Sequence, residues 1–260
     1  VSPRAMEKST SRTISSVPLE SVTDLQRAWA IRMGSEEGTT HSTGLNRRYS
    51  SRLLLALACT GFLGLAAALA AEPPRTVLVV GDSLSAEYGL PRGSGWVALL
   101  DKRLSERKVE ARVVNASISG DTSSGGRSRL PALLRQHKPT HVILELGGND
   151  ALRGLPLDMT QDNLKAMASQ AKATGARVLV VGMQVPPNYG ADYARRFAGA
   201  FEQAARAEGA ALVPFLLKGV ADRADALDWF QADRIHPNVR AQPVMLDNVW
   251  PELAKQLGTR

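Results

Sequence analysis

Short apolar runs rich in β-branched residues alternate with longer stretches of helical periodicity from residue 76 onward. The runs fall at 76–81, 111–116, 141–146, 177–182 and 211–214, and the helical stretches at 95–106, 127–136, 160–173, 192–208 and about 243–257. Gly175 and Gly209 stand just past two of those stretches, where a residue free to turn left-handed ends a helix. A chain of this pattern buries its strands by pairing them in parallel and covering both faces with helices, through right-handed crossovers. The expectation is an α/β protein of three layers, α/β/α, around a five-stranded parallel sheet. No internal repeat or low-complexity linker divides residues 72–260, which read as one domain.

The first run, Val77-Leu78-Val79-Val80, flows into Gly81-Asp82-Ser83-Leu84-Ser85. Four consecutive apolar residues, three of them β-branched, describe a strand buried on both faces. The Gly-Asp-Ser after it describes a sharp strand-to-helix turn, which sets Ser83 at the C-terminal edge of the sheet, where α/β folds hold ligands. There its hydroxyl could serve as a nucleophile and its backbone N–H, near a helix N-terminus, could bind an anion. The same residue types also cap helices, and from this stretch alone Asp82 or Ser83 could do no more than that.

Upstream, residues 1–46 are rich in Ser, Thr, Glu and Arg and lack sustained periodicity, apart from a short helical stretch at 25–33. They read as disordered, or as sequence ahead of the true start, with Met6 and Met33 as candidate initiators. Arg47, Arg48 and Arg52 then precede an unbroken run of apolar and small residues at 53–71, succeeded by Glu72-Pro73-Pro74. Basic flank, apolar core and an alanine-rich exit describe a secretory signal peptide over 47–71, with an uncleaved membrane anchor as the alternative. Either way the domain is expected outside the cytoplasm, periplasmic or secreted. The single cysteine, Cys59, lies in this run, so no disulfide can form within the chain and no Cys/His metal spacing exists. The formal charge of +7 suggests nucleic acid, but of 32 basic and 25 acidic residues, 8 and 5 lie in residues 1–71. The remainder are scattered without a Lys/Arg block, which describes a solvated surface rather than a nucleic-acid interface.

In a parallel sheet the loops after successive strands converge on one edge. The loop after the second run holds Gly120, which would let the backbone approach a ligand closely. The loop after the third is Gly147-Gly148-Asn149-Asp150, where Asn149 offers a side-chain amide. Each alone is an ordinary turn signal. The last connection carries Asp233-Arg234-Ile235-His236-Pro237, a carboxylate and an imidazole three residues apart, so that one loop could present both. His137 and His141 belong to the opposite edge and His41 to the leader. A serine nucleophile, an imidazole base, an orienting carboxylate and N–H donors from separate loops are the parts of acyl transfer. Here all are expected on one edge, in the order Ser, Gly, Asn, His.

Gly81-Asp82-Ser83-Leu84, Gly120, Gly147-Gly148-Asn149-Asp150 and Asp233-Arg234-Ile235-His236-Pro237 resemble the four blocks of the GDSL, or SGNH, hydrolases. Residues 115–122, 129–134 and 145–154, Pro187-Asn188-Tyr189-Gly190, and Ala241-Gln242-Pro243 look like the periplasmic branch of acyl-CoA thioesterases, lysophospholipases and arylesterases. The resemblance covers nearly all of residues 75–258. It implies a flavodoxin-like sandwich and hydrolysis of ester and thioester bonds of fatty-acyl and aryl substrates through an acyl-enzyme, without metal or cofactor. It implies Ser83 as nucleophile, His236 as general base, Asp233 as the group orienting His236, and an oxyanion hole of Ser83, Gly120 and Asn149. It further implies a mobile loop at about 151–160, with Leu152, Leu155, Pro156, Leu157 and Met159 as an apolar wall for the acyl chain. Ordinary edge packing is the alternative for those five. The implied partner is a small-molecule acyl ester or thioester, with transient membrane-lipid contact and no obligate protein partner.

Glu87 stands where this branch is expected to carry a small residue, and would either disfavour acidic substrates or point to solvent. Two other functions fit parts of the pattern. A carbohydrate acetylesterase would share the catalytic blocks, but the apolar 151–160 loop suits acyl chains better than sugars. A non-catalytic flavodoxin-like module, binding flavin mononucleotide or using Asp82 as a signalling aspartate, leaves Asp233 and His236 without a role.

Overall fold

Five parallel strands form the sheet of the computed structural model, which describes residues 75–259. The expected leader at 1–46 and signal peptide at 47–71, with Cys59 and His41, lie outside the described residues. Residues Ala71–Arg260 make one compact unit. The strands are β1 (Arg75–Gly81), β2 (Ala111–Asn115), β3 (His141–Glu145), β4 (Arg177–Val181) and β5 (Ala211–Val213), in spatial order β2-β1-β3-β4-β5. β1, β3 and β4 occupy the middle and are buried almost throughout, which is why their sequences read as unbroken apolar runs. β2 and β5, at the edges, are mostly half-buried and tolerate polar residues.

Two helix layers cover the sheet. α1 (Trp96–Glu106) packs on α6 (Gln242–Leu257), while α2 (Ser123–His137), α4 (Leu157–Ala173) and α5 (Ala191–Glu208) pack side by side. Trp96, Phe197 and Phe201 are the largest fully buried side chains between these layers and the strands. Leu78, at 0% exposure in β1, makes the case for the core: truncation to Ala would cost about 2–5 kcal/mol.

Two of the helices begin three or four residues earlier than their apolar periodicity suggests. α2 starts at Ser123 because the Thr122 hydroxyl accepts the Gly125 N–H at 3.2 Å, an N-cap that precedes the periodic stretch. α4 starts at Leu157, and an unanticipated short helix, α3 (Gly148–Leu152), forms within the Gly-Gly-Asn-Asp loop. The chain leaves β1 toward β2 on one side and returns to β3 on the other. The strand order therefore reverses between β1 and β3, and the crevice at their C-terminal ends is where such sheets hold ligands.

Candidate active site

β1 ends at Gly81, directly across from Glu145 at the end of β3. A Cβ on Gly81 would lie 2.8 Å from a Glu145 carboxylate oxygen and 2.8 Å from the Ser85 hydroxyl, so the close approach requires glycine. After Gly81 the chain makes a single helical turn: the N–H groups of Ser85 and Ala86 donate to the Asp82 carbonyl at 3.2 and 3.0 Å. The expected strand-to-helix turn is corrected here, because no helix grows from this turn. Glu87 takes a left-handed conformation (φ 59°), the turn stops, and α1 begins only at Trp96. Ser83 thus sits in an isolated turn rather than at a helix N-terminus.

The Ser83 hydroxyl is 2.9 Å from Nε2 of His236, 153 residues away in sequence. Nδ1 of His236 is 2.6 Å from Oδ2 of Asp233. The other oxygen of Asp233 accepts the backbone N–H groups of Ile235 and His236, each at 3.0 Å. The imidazole and these amides hold the Asp233 carboxyl down at about 2, so it is ionised under any working condition. An ionised acceptor at Nδ1 keeps the proton there and leaves Nε2 bare, the tautomer needed to accept the serine proton. Arg234, between them, has φ 59°, the left-handed conformation that bends this segment tightly enough for Asp233 to bond its own loop.

Asp82, with 2% exposure, caps the turn through Oδ1, which accepts the Leu84 N–H at 3.0 Å. Its Oδ2 accepts one amide hydrogen of Asn149 at 3.1 Å. Asn149 therefore stands beside the serine turn with its Nδ2 group oriented and its second hydrogen without a partner among the described residues. Burial pushes the Asp82 carboxyl up to about 6, against the opposing effect of the Leu84 and Asn149 donors. Glu145, fully buried, is raised well above the carboxylate range by burial and then by the neighbouring Asp82 charge. Its Oε2 accepts the Ser85 hydroxyl at 2.6 Å and the Asp82 N–H at 3.4 Å.

Gly120 takes φ 80°, and its carbonyl accepts Nη2 of Arg153 at 2.9 Å, tying the β2 loop to the β3 loop. The same β2 loop is anchored by Arg129, which pairs with Asp121 at 2.8 Å and donates to the carbonyl of Ala116. Asp150, fully buried, accepts the Ser123 N–H at 2.9 Å, the Ser123 hydroxyl, and the Thr160 hydroxyl at 3.1 Å. That network holds the Asn149 loop onto the starts of α2 and α4.

The five residues expected to wall an acyl chain differ in exposure. Leu152 lies in α3 and is 56% exposed, whereas Leu157 opens α4, is 8% exposed and belongs to the hydrophobic core. Leu155 and Met159 are half-buried and Pro156 is exposed. The expectation of a wall over 151–160 is corrected at Leu157 alone, whose side chain is claimed by core packing. His137 ends α2 and His141 opens β3 against the Gln256 carbonyl at 3.3 Å, both far from Ser83 along the strand direction.

Glu87 points neither to Ser83 nor to open solvent. Its two oxygens accept the N–H groups of Gly95 at 2.7 Å and Gly93 at 3.0 Å, stapling the loop ahead of α1. Tyr88, which the sequence did not single out, lies with its ring centroid 4.4 Å from that of His236. Glu145 was also missed, although a carboxylate closing an otherwise apolar strand is a signal that it has a buried partner. Among the described residues no cluster of three or more His, Cys, Asp or Glu side chains is arranged to hold a metal ion.

A family model described as the GDSL-like Lipase/Acylhydrolase family matches residues 79–242, which spans all of these groups. The chain belongs to that family. It is 52% identical over 76% of its length to esterase TesA of Pseudomonas aeruginosa, covering 97% of that protein. It is 42% identical over 70% of its length to thioesterase 1/protease 1/lysophospholipase L1 of Escherichia coli K12, covering 83% of it. A crystal structure of TesA superposes with a TM-score of 0.67 at 54% identity, over 70% of this chain and 99% of that one. The fold is thus that of the SGNH hydrolases, and the protein is an ester and thioester hydrolase of this family.

Proposed function

We propose that Ser83 attacks the acyl carbonyl of fatty-acyl and aryl esters and thioesters, forming an acyl-enzyme that water then hydrolyses. The observation that carries this reading is the continuous chain Ser83 Oγ, His236 and Asp233, at 2.9 and 2.6 Å. His236 takes the serine proton through Nε2 and returns it to the leaving alcohol or thiol, and Asp233 stabilises the imidazolium that forms between. The oxyanion is received by the N–H groups of Ser83 and Gly120 and the free amide hydrogen of Asn149, donors worth about 3–4 kcal/mol each in comparable hydrolases. Water then enters the same geometry, activated by His236, and frees the acid. The names of the relatives support acyl rather than sugar esters as substrates. Exposed Leu152 and half-buried Leu155 and Met159 supply apolar surface beside the Asn149 loop.

The protein acts outside the cytoplasm in this reading, exported by residues 47–71. Among the described residues no helix is long and apolar enough to cross a membrane.

Hydrolysis of p-nitrophenyl esters from acetyl to palmitoyl, and of a fatty-acyl-CoA, tests the reading. Activity extending to medium or long chains and lost in a folded Ser83→Ala protein is the expected result. Full activity of Ser83→Ala would sink the mechanism, and activity confined to acetyl esters would favour the carbohydrate acetylesterase.

A further inference from the structure

The backbone donors assigned to the oxyanion hole sit on two separate connections, and one side chain outside the catalytic groups reaches both. Gly81 stands two residues ahead of Ser83, and Ile118 two residues ahead of Gly120. The β2 connection continues the pairing with β1 past the end of β2. The Ala116 N–H donates to the Val79 carbonyl at 2.9 Å, and the Ile118 N–H to the Gly81 carbonyl at 3.0 Å. The chain then turns from Ile118 to Asp121, whose N–H returns to the Ile118 carbonyl at 3.1 Å, with Gly120 at φ 80° in the third place. Glycine with positive φ in that place is the mark of a type II turn.

Arg129, in α2, closes around this turn. Its Nη1 donates to the carbonyl of Ala116, ahead of the turn. Its Nε donates to Oδ2 of Asp121 at 2.8 Å, where the turn ends. Its Nη2 donates to the Gly81 carbonyl at 3.3 Å, at the end of β1. One planar group thus grips both ends of the Gly120 turn and the strand that leads to Ser83. Donors fixed in one plane can span three acceptors in this way, whereas an ammonium is a point charge without that fork. The side chains of Arg129 and Asp121 are 19% and 12% exposed, and a mostly buried pair adds little net stability after desolvation. What the pair holds explains its place better than the pair itself. The third donor is fixed by other groups: Asp82 holds Asn149, and Ser123 and Thr160 hold the residue after it.

We propose that Arg129 is a positioning residue of the oxyanion hole: its guanidinium fixes the Gly120 N–H against the Ser83 N–H, so that both meet one developing oxyanion. This rests on the acyl-hydrolase reading of the site. The charge of Arg129 is paired with Asp121, so its contribution is the spacing of the two donors. The tetrahedral intermediate depends on that spacing more than the ground-state carbonyl does, and the loss on removing the fork therefore falls on kcat.

The test measures kcat and KM for p-nitrophenyl butyrate in the full chain carrying Arg129→Lys or Arg129→Ala. Arg129→Lys keeps a cation beside Asp121 and removes the fork, so it decides the question even where Arg129→Ala does not fold. Each folded variant should lose about 10–100-fold in kcat with KM held within about twofold. The acid limb set by His236 should not move, since the bonds of Arg129 go to Asp121, Ala116 and Gly81. Millimolar guanidinium chloride should restore Arg129→Ala several-fold, and sodium chloride at equal ionic strength should not. A kcat for Arg129→Lys within about twofold of the parent would overturn the proposal. So would an effect confined to KM, which would put Arg129 in substrate binding, or a shifted acid limb, which would put it behind His236. Absence of guanidinium rescue in folded Arg129→Ala would mark general loosening of the loop and would overturn it as well. Parent activity that survives Ser83→Ala would remove the hydrolase reading and this proposal together. Ser83-dependent activity indifferent to Arg129→Lys would remove the positioning role alone.

Discussion

The turn that carries Ser83 grows out of β1, whose residues from Thr76 to Gly81 are all buried, and it rests on the buried carboxylates of Asp82 and Glu145. The segment that carries His236 has only short 3-10 turns, Ala226–Trp229 and Val239–Ala241, and its residues from Ala232 to Ile235 are exposed. Ser83, the proposed nucleophile, is placed by the core, through contacts made by residues 60 or more positions apart. His236, the proposed base, is placed mostly by bonds within its own neighbourhood, with one longer tie from Gln231 Nε2 to the Tyr88 carbonyl. Asp233 accepts from Ile235 and His236, Gln231 N–H donates to the His236 carbonyl at 2.8 Å, and Phe230 bridges to Pro237. One half of the site therefore shares the stability of the whole domain. The other can be damaged or tuned without unfolding it.

That contrast is most sharply broken at Asp233. Asp233→Asn should lower kcat about 10⁴-fold, by removing the acceptor that fixes the imidazole tautomer. Thermal denaturation should barely move, because the side chain is exposed; a large fall in Tm would show that the base side is structurally integral after all. On the nucleophile side, Asn149→Ala should lower kcat about 10²–10³-fold with little change in KM, as expected for a donor engaged at the transition state. An effect confined to KM would argue that Asn149 binds substrate instead.

Acid–base titration sharpens the same contrast. Asp82 and Glu145 both hold protons more tightly in the folded protein than in the unfolded chain, because burial disfavours their charged forms. Between the ordinary carboxylate range and about 6 for Asp82, the folded state binds more protons than the unfolded state. Stability should therefore be fullest at the acid side of that window and decline as pH rises through it. Glu145→Gln keeps an acceptor for the Ser85 hydroxyl and removes one titrating group, so the decline in Tm should become shallower. An unchanged slope would mean that the buried carboxylates are not its source. Asp233, held near 2, should contribute nothing to this slope.

The smallest expected effect is at Tyr88, whose ring lies on His236 while being 51% exposed itself. Tyr88→Ala should cost less than about 1 kcal/mol of stability and reduce kcat/KM only a few-fold. A loss as large as that of Asp233→Asn would make the ring an essential support of the imidazole.

The strands were legible because burial on both faces leaves an unbroken apolar run, and all five lie within a residue or so of where the runs place them. The helix starts were less so. Thr122 and its hydroxyl set the beginning of α2 four residues ahead of the periodic stretch, a local bond that periodicity does not register. Asp233 and His236 were legible as a pair because three residues of separation keep them on one turn. The extent of the apolar loop was not. Leu152 and Leu157 have the same side chain five residues apart, and one is exposed while the other is in the core.

The sequence by itself determined the βα alternation, the edge on which Ser83, Gly120, Asn149 and His236 would gather, and the local Asp233–His236 pairing. Each of these depends on residue type and short spacing. Only the tertiary structure decided that Glu145 would lie against Ser85, that Asn149 would be held by Asp82, that Tyr88 would cover His236, and that Glu87 would staple Gly93 and Gly95. An apolar period states that a position is buried, and a polar residue states that it needs a partner. Neither states which partner, because that is set by the register between strands and by where each connection crosses the edge.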